Sequence, residues 1–132
     1  MTSRPRILVA DDHRAMLDSL VQLLSGEFEV VATVTDGLSA VTTAARLQPD
    51  LLVLDIAMPG LNGIDAAARL KESGSTAKVV FVTNLHDREF VQKSLALGTV
   101  GFVVKDRLVA DLLPAIRTVL AGQSFVSPSV GR

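Results

Sequence analysis

Residues 51–55 read LLVLD, four apolar residues followed at once by a carboxylate. An unbroken apolar run of this length, bounded by turn residues, is typical of a strand that is buried on both faces of a sheet. The loop that follows, at residues 58–63, reads MPGLNG and is rich in turn-forming residues. The stretch therefore predicts a central strand that carries an acidic side chain at its carboxyl end.

The same strand-then-helix pattern repeats on both sides of this stretch. A strict alternation of apolar runs and helical patterns predicts a parallel sheet covered by helices on both faces, an α/β fold. Pro114 falls inside the last helical pattern, so we expect either a helix that begins near Asp111 or a kink at the proline. The predicted strands are 6–10, 28–34, 51–54, 78–82 and 100–104, and the predicted helices are 13–24, 39–47, 64–71, 87–97 and 108–121.

Composition excludes several classes of protein. The chain has 132 residues, 48% of them hydrophobic, and a net charge of −1, which argues against intrinsic disorder and against a free-standing nucleic-acid binder. It has no cysteine, so disulfides and thiolate metal sites are excluded. No apolar run approaches a membrane span and no signal peptide opens the chain. We therefore expect one cytoplasmic domain with no membrane contact.

Polar residues follow four of the five predicted strands: Asp11 and Asp12, Asp55, Thr83 and Lys105. The carboxyl ends of parallel strands meet at one edge of a sheet, where ligands bind. Each of these residues alone could be a loop residue or a helix cap, which is how we interpret residues 36 and 87. The set is harder to explain as caps, because three carboxylates, a hydroxyl and an ammonium would share one edge.

These side-chain types point to phosphoryl transfer. Three neighbouring carboxylates repel one another and stay ionised beside a cation, and oxygen ligands favour Mg²⁺ or Mn²⁺. Lysine and threonine can donate hydrogen bonds to phosphoryl oxygens. A carboxylate nucleophile would form an aspartyl phosphate. We interpret His13 and His86 as a surface residue and a helix-start residue, since a zinc site would need further nitrogen or sulfur ligands.

Four motifs in this order resemble the response-regulator receiver domain of two-component signalling, from residue 7 to about residue 128. They are VADDH at 9–13, LLVLDIAMPGLNG at 51–63, FVTNLHD at 81–87 and GFVVKD at 101–106. The close of the domain, AIRTVLAGQSFVSP at 115–128, is similar to the NarL/FixJ-like subfamily. The resemblance implies a (βα)5 doubly wound five-stranded parallel sheet of flavodoxin-like strand order 2-1-3-4-5.

The resemblance also implies a role for each site residue. Asp55 would be the phosphoacceptor, Thr83 would hydrogen-bond the phosphoryl group and Lys105 would pair with it. Phe102 would change rotamer as Thr83 moves. The metal site for Mg²⁺ (or Mn²⁺) would consist of Asp12 as a direct ligand, Asp11 acting largely through water, Asp55, and the carbonyl of Ala57.

The function implied is a switch that accepts a phosphoryl group from a sensor histidine kinase on Asp55 and controls an output, transcription being the expected one. It would assist its own phosphorylation and dephosphorylation without being a turnover enzyme. A small-molecule phosphatase is the alternative from another class, but its Asp-x-Asp pair is missing because residue 57 is alanine. The sequence also argues against nucleotide binding, because neither of the glycine-rich motifs G-x-G-x-x-G and G-x-x-x-x-G-K-[ST] is present.

Three further expectations concern domains, partners and lifetime. Residues 1–123 would form the receiver and 124–132 the start of a linker, leading to a DNA-binding domain outside this chain; a stand-alone receiver is the alternative. DNA contact would come only through that domain, and phosphorylation could promote a homodimer. Ala57 and Leu85 flank the expected path of hydrolytic water and cannot bind it, so we expect a long-lived phosphoryl group.

Overall fold

The computed structural model describes residues 3–84 and 88–128. Strands and helices alternate along the described residues, and a 3-10 turn at Lys105–Arg107 precedes α5. The strands are β1 (Arg6–Ala10), β2 (Glu29–Val34), β3 (Leu51–Leu54), β4 (Lys78–Thr83), β5 (Val100–Val104) and β6 (Phe125–Val126). The helices are α1 (Arg14–Ser25), α2 (Gly37–Leu47), α3 (Gly63–Glu72), α4 (Arg88–Leu95) and α5 (Leu108–Leu120).

The described strands form one parallel sheet in the order β2-β1-β3-β4-β5-β6. This confirms the predicted fold class and the order 2-1-3-4-5. The sheet also has a sixth strand that the sequence analysis did not include. In it Phe125 lies opposite Gly101 and Val126 opposite Phe102. A two-residue strand is too short to show a pattern, and these residues belong to the stretch that we interpreted as the start of a linker.

Two apolar layers cover the sheet, one on each face. On one face α1 and α5 pack against Ile7, Val9 and Val53. On the other face α2, α3 and α4 pack against Leu8 and Leu52. Successive strand residues point to opposite faces, so a central strand must be apolar throughout to serve both layers. This burial fixes the register that brings the strand ends to one edge.

Two glycines allow the loop after β3 to lie close against its neighbours. A Cβ at Gly63 would lie 2.1 Å from the carbonyl oxygen of Asp55, and one at Gly37 would lie 1.9 Å from that of Leu61. Both are backbone contacts, so a larger residue would displace the loop. The start of α3 is thereby set directly against the peptide group of Asp55.

Local details test three sequence interpretations. Asp36 caps α2, accepting a hydrogen bond of 2.7 Å from the backbone N–H of Ser39, as interpreted; residue 87 lies outside the described residues. Helix α5 begins at Leu108, so a start near Asp111 is wrong, and Pro114 lies inside the helix. Among the residues described, no helix is long and apolar enough to cross a membrane.

Candidate functional site

Three charged side chains from separate strands meet at the carboxyl edge of the sheet. Asp11 follows β1, Asp55 follows β3 and Lys105 follows β5. The Nζ of Lys105 lies 2.9 Å from Oδ2 of Asp11 and 3.3 Å from Oδ2 of Asp55. All three side chains are at least nine-tenths buried. The predicted convergence of these residues is therefore present.

Backbone hydrogen bonds hold the two carboxylates in place. The N–H of Asp55 donates to the carbonyl of Ala10 at 2.9 Å, which extends the pairing of β1 and β3 by one residue. The other carboxylate oxygens accept from the chain just beyond them: Oδ1 of Asp11 from His13 N–H at 2.9 Å, and Oδ1 of Asp55 from Ala57 N–H at 3.3 Å. Each Oδ2 is left to face the lysine.

The cluster carries an excess of negative charge. Asp11, Asp12 and Asp55 are opposed by the ammonium of Lys105. Burial raises the pKa of Asp55 above its usual value, and Asp11 raises it further, while Lys105 acts in the opposite direction. Burial alone would lower the pKa of Lys105, but its contacts with Asp11 and Asp55 outweigh burial and raise it. The ionised form of Asp55 is therefore less favourable here than in an exposed aspartate, and added positive charge would favour it.

The acidic residues fit a divalent cation. Asp11, Asp12, His13 and Asp55 each offer a ligand atom, and these atoms lie within 4.8 Å of one another. Oδ2 of Asp11 is buried and is paired with the Lys105 ammonium. Several carboxylate oxygens this close together form the kind of donor set that a hard cation binds. His13 was not predicted to belong to this group, although it is exposed as expected.

The remaining predicted site residues surround this cluster. Thr83 ends β4 and is buried, opposite Val104. Phe102 is fully buried in β5, opposite Phe81, in the position of a core aromatic. Ala57 is exposed in the loop that follows Asp55. Leu85 and His86 lie outside the described residues.

A second polar cluster next to the site was missed by the sequence analysis. The Oγ of Ser127 donates to Oδ2 of Asp111 at 2.8 Å and accepts from the N–H of Val104 at 3.2 Å. Arg107 donates to both oxygens of Asp111, at 2.8 and 3.1 Å. We call Arg107, Asp111 and Ser127 the α5 clasp. The available signal was an aspartate on the apolar face of α5, four residues after an arginine.

The chain belongs to the response regulator receiver domain family, which matches residues 7–117. This confirms the resemblance drawn from the four motifs. The class of protein defined by the fold and the family is the receiver of a two-component response regulator.

Individual relatives agree with the family and with its NarL/FixJ-like branch. The response regulator GacA of Pseudomonas viridiflava is 33% identical over 129 residues, which cover 96% of this chain and 60% of that protein. A LuxR-family response regulator of Aurantimonas sp. SI85-9A1 is 29% identical with a TM-score of 0.91, covering 97% of this chain and 93% of that one. The NarL receiver domain of Mycobacterium tuberculosis is 27% identical with a TM-score of 0.87, and the match covers 92% of this chain and 100% of that one. The chain thus spans about 60% of the GacA length.

Proposed function

We propose that this receiver accepts a phosphoryl group on Asp55 from a sensor histidine kinase in the cytoplasm and uses it to control transcription. The observation that carries the proposal is the pairing of a buried Asp55 carboxylate with Lys105, beside the second acidic residue Asp11. A buried nucleophile with a fixed cation and a further acidic group is arranged for positioning and charge neutralisation, which dominate phosphoryl transfer.

The transfer itself needs one bond made and one broken. A carboxylate oxygen of Asp55 attacks the phosphorus, and the bond from phosphorus to the nitrogen of the kinase histidine breaks as that imidazole leaves. Lys105 already lies 3.3 Å from the Asp55 carboxylate, so its ammonium can move onto an incoming phosphoryl oxygen. Thr83, at the end of the adjacent strand, would donate its hydroxyl to a second oxygen.

Mg²⁺ or Mn²⁺ is the cofactor that the acidic group fits. Asp11, Asp12 and Asp55 would hold it, together with the carbonyl of Ala57. When bound, the cation neutralises charge on the carboxylates and the phosphoryl oxygens. The pKa of Asp55, raised first by burial, supports this assignment, because a nearby positive charge would favour the ionised, nucleophilic form of that carboxylate.

The output would follow from contacts that exist only in the phosphorylated state. Thr83 and Lys105 gain a phosphoryl partner, and Phe102 in β5 would respond by changing rotamer. Residues 124–132 would lead to a DNA-binding domain outside this chain, and phosphorylation would promote a homodimer. Thr83→Ala should still accept phosphate but lose most of the chemical-shift changes of the wild type; unchanged shifts would overturn this coupling.

The proposed long lifetime of the phosphoryl group rests on the apolar pair Ala57 and Leu85. Ala57 is exposed next to Asp55, where a methyl group offers water no hydrogen bond. A combined Ala57→Asn and Leu85→Glu variant should lose phosphate about 10-fold faster, equivalent to about 1.4 kcal/mol of barrier. The decay of phosphorylated protein in Mg²⁺ measures this, and an unchanged or slower decay would contradict it.

The central test is covalent labelling by a small phosphodonor, followed by intact mass measurement. Wild-type protein in Mg²⁺ should gain one phosphoryl group, while Asp55→Asn should gain none and excess chelator should prevent labelling. Asp18→Asn, a change at an exposed aspartate of α1, is the matched control and should label normally. Labelling of Asp55→Asn would refute the site, and sustained turnover of a phosphate ester would favour the phosphatase alternative.

A further inference from the structure

His13 occupies the N-cap position of α1, but its side chain does not cap the helix. Its backbone is fixed, since its N–H donates to Asp11 and its carbonyl accepts from Leu17 N–H at 3.0 Å. Within the part of the chain that the structure describes, its side chain makes no capping hydrogen bond. Serine, threonine, aspartate and asparagine are the residues that normally cap here. The imidazole therefore makes its contacts away from the helix backbone.

The ring lies against the acidic pair. Its Nδ1 is 3.1 Å from Oδ1 of Asp12 and 3.5 Å from Oδ1 of Asp11. One atom of His13 and one from each of Asp11, Asp12 and Asp55 lie within 4.8 Å of one another. An octahedral ion with ligands at about 2.1 Å places opposite ligands about 4.2 Å apart, so small side-chain rotations would suffice.

We propose that His13 supplies a nitrogen ligand to this cation site and gives it a preference for a divalent transition-metal ion over Mg²⁺. Imidazole suits first-row transition metals, whereas Mg²⁺ takes oxygen ligands. With the carboxylate oxygens of Asp11, Asp12 and Asp55 beside the ring, the cluster offers a mixed nitrogen and oxygen donor set. The proposal rests on the proposed function only in taking this to be the site that phosphorylation uses.

The ratio of two affinities tests this proposal. Binding of Mn²⁺ is measured from the spin-resonance signal of the free ion, and binding of Mg²⁺ by competition, without phosphodonor and at one fixed pH above neutrality. His13→Asn should weaken Mn²⁺ binding by about 10-fold or more, a scale typical of a lost metal-site group, and should change Mg²⁺ binding by less than about 2-fold. His13→Ala should behave alike, and Asp12→Asn should weaken both ions.

A second readout reports the contact directly. Substoichiometric Mn²⁺ should broaden the ring-proton signals of His13 in the wild type, because a ligating imidazole lies next to the paramagnetic ion. An unchanged Mn²⁺ affinity in His13→Asn would overturn the proposal, as would an equal loss for both ions, which would show a purely electrostatic effect. Because no phosphodonor is present, failure of the Asp55 labelling experiment is a separate result.

Discussion

Two polar clusters lie at the end of β5, each built around a buried aspartate, and the pKa of that aspartate is shifted in opposite directions in the two clusters. In the α5 clasp, the hydrogen bond from Arg107 lowers the pKa of Asp111, and Ser127 adds to that effect. At the site, burial raises the pKa of Asp55 and its neighbour Asp11 adds to the shift. Each cluster places an aspartate beside a basic side chain. The ionised form of Asp111 is stabilised, whereas the ionised form of Asp55 is destabilised.

The difference lies first in burial, which is the largest cause of the shift at Asp55, and then in the side-chain donors that each carboxylate receives. Asp111 alone takes two bonds from Arg107 and one from Ser127. Lys105 must serve both Asp11 and Asp55 with one ammonium. A satisfied buried network supports the fold, whereas a partly satisfied one costs stability. The clasp is thus structural, and the site keeps an excess of negative charge that a cation can neutralise.

The largest expected effect on stability comes from removing the charge of the clasp. Asp111→Asn should lower the free energy of unfolding by about 2 kcal/mol, the scale of hydrogen bonds to a buried charged group. Urea denaturation measures this, with the exposed Asp18→Asn as a control expected to stay within about 0.5 kcal/mol. If Asp111→Asn lost no more unfolding free energy than Asp18→Asn, the charge of Asp111 would not stabilise the fold and the proposed difference between the clusters would be wrong.

The pH dependence of stability should separate the clusters by sign. Because the pKa of Asp55 is raised in the folded state, its protonation stabilises the fold at low pH, and that contribution is lost as pH rises from the ordinary value of 3.8 through the raised one. The lowered pKa of Asp111 has the opposite consequence. Its contribution is present above 3.8 and is lost as pH falls through the lowered value.

Urea denaturation across this pH range, in chelator, tests both signs. In Asp55→Asn the loss of stability on going from acid to neutral pH should shrink. In Asp111→Asn the loss on going to strongly acid pH should shrink instead. If either variant kept the full wild-type dependence, the corresponding aspartate would not be its source.

The smallest expected change in stability is at Gln48, at the opposite edge of the sheet. It serves as a reference for the two clusters because it involves no charged group. Gln48 ends α2 with a φ of +48°, a left-handed conformation that glycine adopts more readily. Gln48→Gly should stabilise the protein by about 0.5–1 kcal/mol. Thermal unfolding should show the same gain in chelator and in Mg²⁺, and a gain that depends on Mg²⁺ would contradict its backbone origin.

Sequence alone predicted the alternating elements and the meeting of Asp11, Asp55 and Lys105, because burial on both faces leaves parallel strands uniformly apolar and polar at their ends. It did not predict β6, whose two residues are held by pairing with β5 and by Ser127. Such tertiary hydrogen bonds leave no local periodicity. The close position of His13 depends on side-chain rotation at the start of α1, which a sequence pattern does not encode.

The most direct test of the charge imbalance is the unfolding free energy of wild type and Asp55→Asn, each in chelator and in saturating Mg²⁺. In chelator Asp55→Asn should be the more stable protein by about 1 kcal/mol, because removing a penalised carboxylate relieves repulsion with Asp11 while Lys105 keeps one partner. In Mg²⁺ at about 100 times its dissociation constant the wild type should gain about 2.7 kcal/mol and the variant less than about 1.7 kcal/mol, so the order should reverse. An equal gap in both conditions, or a wild type that is already the more stable in chelator, would contradict the account.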